Sequence, residues 1–357
     1  MDSGKGDDSL TGLPASGMWI GTSNRGYGKL AEEELRNRFE LVRVLWMIAG
    51  DVFLFETAAG PREALDSIME REPIFLRHMQ PVHLKVAVTR SQGDLGMLRE
   101  ALGQAMAGLP LSGRRVAVQT RKAEGVDFDY AAVDVKRALD KVLADAFGAE
   151  PVVQGMDVVI SVFLTEDEAY LGWSTPAQNL SSWSGGAVHF RKEDADISRA
   201  KFKLLEAGVR FGLDFADFRN ALDIGAAPGG WSSLLLDRGL RVTAVDPAAM
   251  HPSLSGRAGF THLRRNAADV RFRDGEFDLL VSDMSWDPLH MADLVKKLAP
   301  AIVPRGTAIT TVKLLRGKPF VTVRHVENML QPEFGLKKAK QLFHNRDELT
   351  VCWERLP

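Results

Sequence analysis

Leu222-Asp223-Ile224-Gly225-Ala226-Ala227-Pro228-Gly229-Gly230-Trp231, followed by Ser232-Ser233-Leu234-Leu235-Leu236, is the stretch on which the fold turns. A short apolar run passes into small residues and then into a helical apolar pattern, as when a buried parallel strand bends sharply into the helix that covers it. Glycine at 225, 229 and 230 is expected to let a ligand lie against the main chain, and Pro228 to stiffen the corner. About twenty residues further on, Val242-Thr243-Ala244-Val245-Asp246 reads as a second strand, ending in an acid placed to accept hydrogen bonds from a ribose diol. Together the turn and the acid predict a nucleoside site. The dinucleotide fingerprint Gly-x-Gly-x-x-Gly is not met, because its second glycine falls at Ala227 and is followed by Pro228.

The chain has 357 residues, which suits two or three domains that each bury a core. It is 45% hydrophobic and 26% charged, the composition of a globular protein in water. No apolar run reaches the roughly eighteen residues of a membrane span, and the start Met1-Asp2-Ser3-Gly4-Lys5 lacks the basic and apolar regions of a secretory signal, so a cytoplasmic protein is expected. The single cysteine, Cys352, excludes an internal disulfide and a cysteine-rich zinc site, and reads as a strand residue. A net charge of −2 argues against a generally basic surface, so any nucleic-acid contact has to come from local clusters.

Residues 1–16 are Gly-, Ser- and Asp-rich without periodicity and are expected to form a disordered tail. Residues 17–80 read as a small α+β unit of βαββα type. Residues 81–180 add a strand at Leu84–Val88, a helix at 95–108, a strand at Arg115–Arg121, a helix with Val133, Val135, Leu139, Leu143 and Phe147 on its apolar side, and strands at Asp157–Leu164 and Glu168–Gly172. His78 and His83 are isolated and read as structural. The polar segment Thr175–Gly186 marks a boundary, and 181–357 form the nucleotide-binding domain. There a helix around Ile197–Ala207, with Phe202, Leu205 and Val209 on one apolar side, precedes the first strand. A third strand at Thr261–Arg265 leads to the loop acid Asp269. The strand Phe277–Met284 ends in Asp283. A strand at Thr307–Leu315 carries Lys313, and strands at Leu336–Phe343 and Glu348–Glu354 close the domain.

The form Asp-x-Gly-x-x-Pro-Gly-Gly-Trp at 223–231 resembles the first motif of S-adenosylmethionine-dependent methyltransferases, in particular the FtsJ-like RNA ribose methyltransferases. Ser-Arg-x-x-x-Lys-Leu at 198–204, Asp283-Met284 and Val312-Lys313-Leu314 are similar to further motifs of that group, and Lys203, Asp283, Lys313 and Glu348 resemble its catalytic Lys-Asp-Lys-Glu tetrad in chain order. With Gln341-Leu342-Phe343-His344-Asn345-Arg346-Asp347-Glu348-Leu349-Thr350-Val351, the chain looks like the bacterial 23S ribosomal RNA (cytidine-2′-O)-methyltransferase M family. That resemblance implies a ferredoxin-like domain at 17–80, a THUMP-like RNA-binding domain at 81–180, and a Rossmann-like class I methyltransferase domain with a doubly wound seven-stranded sheet at 181–357. It implies S-adenosylmethionine as cofactor, held by Asp223, Gly225, Ala226, Ala227, Pro228, Gly229, Gly230, Trp231, Asp246, Asp269 and Asp283, with no metal. RNA, in that family 23S ribosomal RNA, is the implied partner. The residues after Asp283, Ser285-Trp286-Asp287-Pro288, depart from the commoner Ala-Pro form. A base or transfer-RNA methyltransferase, and an RNA-binding protein without turnover, are the competing readings.

Ribose methylation needs a group that accepts the 2′-hydroxyl proton as the oxygen attacks in line. A neutral lysine amine at 313 serves. Burial and the cation of Lys203 would lower its pKa, whereas Asp283 and Glu348 would raise it while orienting the amine and the hydroxyl. Lys313, Arg316, Lys318, Arg324, Lys337, Lys338, Lys340 and Arg346 form a basic run suited to phosphates, and Arg114, Arg115, Arg121, Lys122, Lys136 and Arg137 offer a second one for the 81–180 domain.

Overall fold

The computed structural model describes residues 17–192, 196–284, 286–315 and 319–357. The expected tail at 1–16, the target-side Ser285, and Arg316 and Lys318 of the basic run lie outside the described residues. The chain forms two compact units, one running to Ala187 and the other from Val188 to Pro357. The division falls at the far end of the polar segment Thr175–Gly186.

The first unit begins with β1 (Met18–Thr22), α1 (Gly28–Arg38), β2 (Val42–Ile48), β3 (Val52–Thr57), α2 (Pro61–Glu70) and β4 (His78–Pro81). The strands form an antiparallel sheet in the order β2-β3-β1-β4, the arrangement of a ferredoxin-like unit. β4 is absent from the sequence reading. All four of its residues are buried, so it shows no alternation, and its edge position tolerates Pro81.

There follow β5 (Leu84–Ala87), α3 (Asp94–Met106), β6 (Arg115–Lys122), α4 (Ala132–Phe147), β7 (Glu150–Pro151), β8 (Val158–Leu164) and β9 (Glu168–Ser174), with sheet order β5-β9-β8-β6-β7. On α4 the buried stripe is Val135, Leu139 and Leu143, spaced four apart. Val133, placed on that side by the sequence reading, is instead 46% exposed. β8 is buried along its whole length because both of its faces are covered. One face meets α3 and α4 through Leu98, Leu102, Val135 and Leu139. On the other, Phe163 joins Tyr170, Ile20, Leu54 and Val82, so the unit's two sheets share a core. Trp46 Nε1 donates to the Tyr170 hydroxyl at 3.2 Å across that junction.

The second unit contains α5 (Lys201–Phe211), β10 (Asn220–Ile224), α6 (Gly230–Asp237), β11 (Arg241–Val245), β12 (Phe260–Leu263), β13 (Phe277–Ser282), α7 (Pro288–Leu298), β14 (Ile302–Lys313), α8 (Pro319–Leu330), β15 (Phe334–Lys340) and β16 (Glu348–Arg355). Its seven strands run β12-β11-β10-β13-β14-β16-β15, and only β16 is antiparallel to its neighbours. This is a doubly wound, Rossmann-like sheet with one antiparallel strand. The strand order reverses between β10 and β13, and the crevice at their carboxyl ends is where such sheets take ligands. No helix among the described residues is long and apolar enough to cross a membrane.

The basic side chains expected to serve RNA from 81–180 are largely engaged inside the first unit. Arg121 donates to Thr22 Oγ1 at 2.9 Å and Gln80 Oε1 at 3.1 Å, and its guanidinium lies over the Phe163 ring. Burial and the nearby Arg77 push it down to about 10. Arg115 pairs with Asp157, Lys136 with Asp140, and Lys122 donates to Tyr130 O. The positive charge read from this stretch is thus mostly consumed in holding the unit together. Arg121→Ala should destabilise the first unit by about 2–3 kcal/mol, the cost of removing a charged donor from partly buried acceptors, as read from urea unfolding of the full chain followed by tryptophan fluorescence.

Candidate active site

β10 ends at Ile224, and the chain reverses through Gly225 at φ +68° and Gly229 at φ +110° before α6 begins. Both conformations suit glycine. The space at these residues is filled from within the protein, contrary to the expectation that it stands open to a ligand. A Cβ on Gly225 would lie 2.2 Å from Met284 Cγ, one on Gly229 2.2 Å from Leu254 Cδ1, and one on Gly230 2.3 Å from Ser198 Oγ. The glycines let the segment after β13, the segment after β11 and the approach to α5 close directly onto the turn. Ala226 and Ala227 complete the corner with Pro228.

Asp246, just past β11, braces this turn. Its Oδ2 accepts from Ala227 N at 3.1 Å and its Oδ1 from Ala248 N at 2.7 Å, which leaves a further lone pair on each oxygen. Trp231 is 3% exposed, and its indole N–H donates to Ala200 O at 2.7 Å, tying α6 to the start of α5. Its ring belongs to the core, so only its backbone faces the turn. Asp269 sits exposed in a short helical turn after β12.

Three of the four expected catalytic residues meet. Lys203 Nζ lies 2.9 and 3.2 Å from the two oxygens of Asp283 and 3.1 Å from Glu348 Oε1. Lys313 stands directly across from Glu348 in the β14–β16 ladder, so the two side chains leave the same face of the sheet. Two residues back on that face, Thr311 hydrogen-bonds Asp283. Lys313 itself is exposed where the sequence reading expected burial, because it lies at the open end of β14, and among the described residues it has no ion-pair partner. Lys203 is held above its ordinary value: the loss of water on burial works against its charge, but Asp283 and Glu348 outweigh it. Asp283 is raised by burial and by the like charge of Glu348, against the pull of Lys203 and Thr311.

The helix that carries Lys203 differs from its sequence reading. Its buried side is Phe202, Leu204, Glu206, Ala207, Gly208 and Phe211, while Val209 is 59% exposed. Glu206 escaped notice. Its carboxylate is 1% exposed and accepts from Phe343 N, His344 N and His344 Nδ1 at 2.8, 3.0 and 2.7 Å. An acid one turn beyond Lys203 on a buried helical face was the available signal.

Asp223, at 2% exposure, lies beneath the turn and accepts from Ser232 Oγ at 2.6 Å. Burial pushes it up to about 7, helped by the charges of Asp283 and Asp246 and opposed by the Ser232 bond. Three carboxylates therefore converge at the ends of β10, β11 and β13, and a cationic ligand suits the crevice between them. The basic run is thinner than expected. Lys340 is 3% exposed, Lys337 pairs with Glu354, and Lys338 reaches Phe211 O; Lys313, Arg324 and Arg346 stay exposed.

Residues 197–333 match the FtsJ-like methyltransferase family. Proteins named Ribosomal RNA large subunit methyltransferase M are homologous: that of Halorhodospira halophila is 35% identical over 177 residues, covering 49% of this chain and 52% of that protein. That of Methylococcus capsulatus is 32% identical over 200 residues, covering 53% and 55%. The chain thus spans about half the length of the curated relatives it matches. The structure of TrmN from Thermus thermophilus is 19% identical and covers 95% of this chain and 100% of that one, with a TM-score of 0.40, too slight a likeness to argue from.

A carboxyl that keeps its proton to higher pH when folded stabilises the fold at low pH and loses that contribution as pH rises. For Asp223 the window runs from 3.8 to about 7. Asp223→Asn should therefore gain in melting temperature relative to the parent chain as pH is raised from 5 to 8; a difference independent of pH would contradict the shifted carboxyl.

Proposed function

We propose that the second unit transfers a methyl group from S-adenosylmethionine to a ribose 2′-hydroxyl of RNA, and that this hydroxyl belongs to a cytidine of 23S ribosomal RNA. The observation that carries the reading is the clamp of Lys203 between Asp283 and Glu348, with Lys313 across the ladder from Glu348 and the glycine turn at the neighbouring strand end. The cytidine and the 23S molecule rest on the names of the relatives. Such a substrate places the protein in the cytoplasm. The first unit adds RNA affinity in this reading, a role supported by its order of elements and not by its charges.

The crevice fits the cofactor. When bound, S-adenosylmethionine supplies an electrophilic methyl on a sulfonium cation. The turn 225–230 and Asp246, with free lone pairs, would hold its amino-acid and ribose parts, and Asp269 its adenine. Asp223 positions the turn from below through Ser232. The carboxylate charge of Asp246 and Asp283 favours a cation between the strand ends.

The ribose oxygen would take the methyl carbon as that carbon's bond to sulfur breaks and the sulfonium leaves as a neutral thioether, and the hydroxyl proton would pass to the chain. Lys203 is a poor acceptor of that proton, since two carboxylates hold it as an ammonium. Lys313 is the lysine of the tetrad left without a carboxylate clamp, and we assign it as the general base. Glu348 and Asp283 accept hydrogen bonds and hold Lys203 beside the developing alkoxide, where its charge stabilises the transition state. Asp283, just past the end of β13, is the acid shared by the cofactor crevice and the tetrad.

A general base contributes about 10²–10⁴ in rate. With radiolabelled cofactor and ribosomal RNA, Lys313→Ala should lower turnover by about that factor while calorimetry gives near-parental cofactor affinity. Lys313→Arg should fail as well, because guanidinium keeps its proton at working pH. A correctly folded Lys313→Arg enzyme with near-normal turnover would remove the proton-accepting role.

A further inference from the structure

Beside the tetrad lies a group of rings that the transfer chemistry does not use. Phe190 stacks on Phe202 with centroids 5.9 Å apart and planes 12° apart, and on His344 at 5.7 Å and 30°. Phe202 and His344 are 5.5 Å apart, which closes a triangle of rings. Phe343 stands edge-on to His344 at 5.2 Å and to His189 at 5.2 Å. Phe202 immediately precedes Lys203 on α5, and His344 lies four residues before Glu348, so the rings are carried by the same two pieces of chain as Lys203 and Glu348.

These rings are not simply more core. Phe202 is buried, but Phe190, Phe343 and His344 are half-buried and His189 is exposed. Glu206 fixes the arrangement. Because a carboxylate only accepts, the 2.7 Å contact puts a proton on His344 Nδ1 and sets the ring's orientation. Glu206 accepts its other two bonds from the backbone N–H groups of Phe343 and His344, so one buried acid fixes both the segment that carries these rings and the orientation of the imidazole. Around the rings, Arg191, Lys192 and Arg346 are exposed and, among the described residues, have no ion-pair partner. Half-buried rings flanked by exposed cations are a pattern by which proteins hold unpaired nucleic-acid bases, the rings stacking on the base and the cations meeting phosphates.

We propose that Phe190, His344 and Phe343 form a stacking ledge for an unpaired RNA base next to the methylated nucleotide, with Glu206 as the positioning residue that orients it. The proposal rests on the reading that this unit acts on RNA. On a chain whose net charge is −2, such a ledge would give a single strand affinity through stacking that charge does not supply.

The test uses full-length protein, a fluorescent single-stranded oligoribonucleotide, and steady-state methyl transfer. Phe190→Ala should raise both the dissociation constant and the KM for RNA by roughly 5- to 150-fold, with kcat and cofactor affinity held close to the parent. Phe190→Leu, which keeps apolar packing on Phe202 but has no ring face, should behave like Phe190→Ala, and Phe190→Trp should restore binding. Parental RNA affinity in Phe190→Leu would overturn the ledge, as would a loss in all three variants accompanied by lost cofactor binding. Failure of the underlying reading looks different: the parent protein would transfer no methyl group to RNA, whatever its affinity.

Discussion

One ammonium between two carboxylates sets the geometry of the second unit's working edge. Lys203 comes from a helix that precedes the sheet, Asp283 from the end of β13, and Glu348 from the start of β16. None of the three is near another in sequence, and each charge is largely out of water. Removing any one would strand the others in a poorly solvated place, a situation far costlier than losing an exposed ion pair. The pair network therefore acts as a gauge: it is satisfied only when α5, β13 and β16 are all seated. Glu206 repeats the device one helical turn along, joining α5 to the segment before β16 through three hydrogen bonds.

The turn between β10 and α6 obeys a related constraint. Met284 fills the side-chain space of Gly225, so the segment carrying Asp283 rests on the turn itself. Asp246 reaches the same turn from the other side through Ala227 N. The strand-end acids Asp246 and Asp283 are thereby referenced to one short piece of backbone, and under the proposed in-line transfer little error in their separation is tolerated.

Much of this was legible because it is local or ordered. The strand–turn–helix around Gly225 shows itself through small residues between two apolar patterns, and the four candidate catalytic residues through their resemblance, in chain order, to the Lys-Asp-Lys-Glu tetrad of the FtsJ-like group. What escaped the sequence is tertiary. Arg121 looks like a surface cation until Thr22 and Gln80 are seen to accept from it, and Lys340 looks like its exposed neighbours until β15 buries it. The sequence reading starts this strand at Thr307, yet β14 begins at Ile302 with a shift in register against β13, and Arg305 sits at φ +65°. Such an irregularity is decided by the neighbouring strand and leaves no periodic trace. Glu206 and the rings around His344 join segments about 140 residues apart, beyond the reach of any spacing rule.

The shared core of the first unit bears on how such a protein can be divided. Ile20, Leu54 and Val82 pack with Phe163 and Tyr170, and Arg121 spans from one sheet to the other. A chain cut near residue 80 would leave each half with an uncovered apolar face, so the ferredoxin-like segment and the sheet that follows it are a single inheritable part. Recombination that kept one and replaced the other would have to rebuild the junction, whereas an exchange near Ala187 respects the cores on both sides.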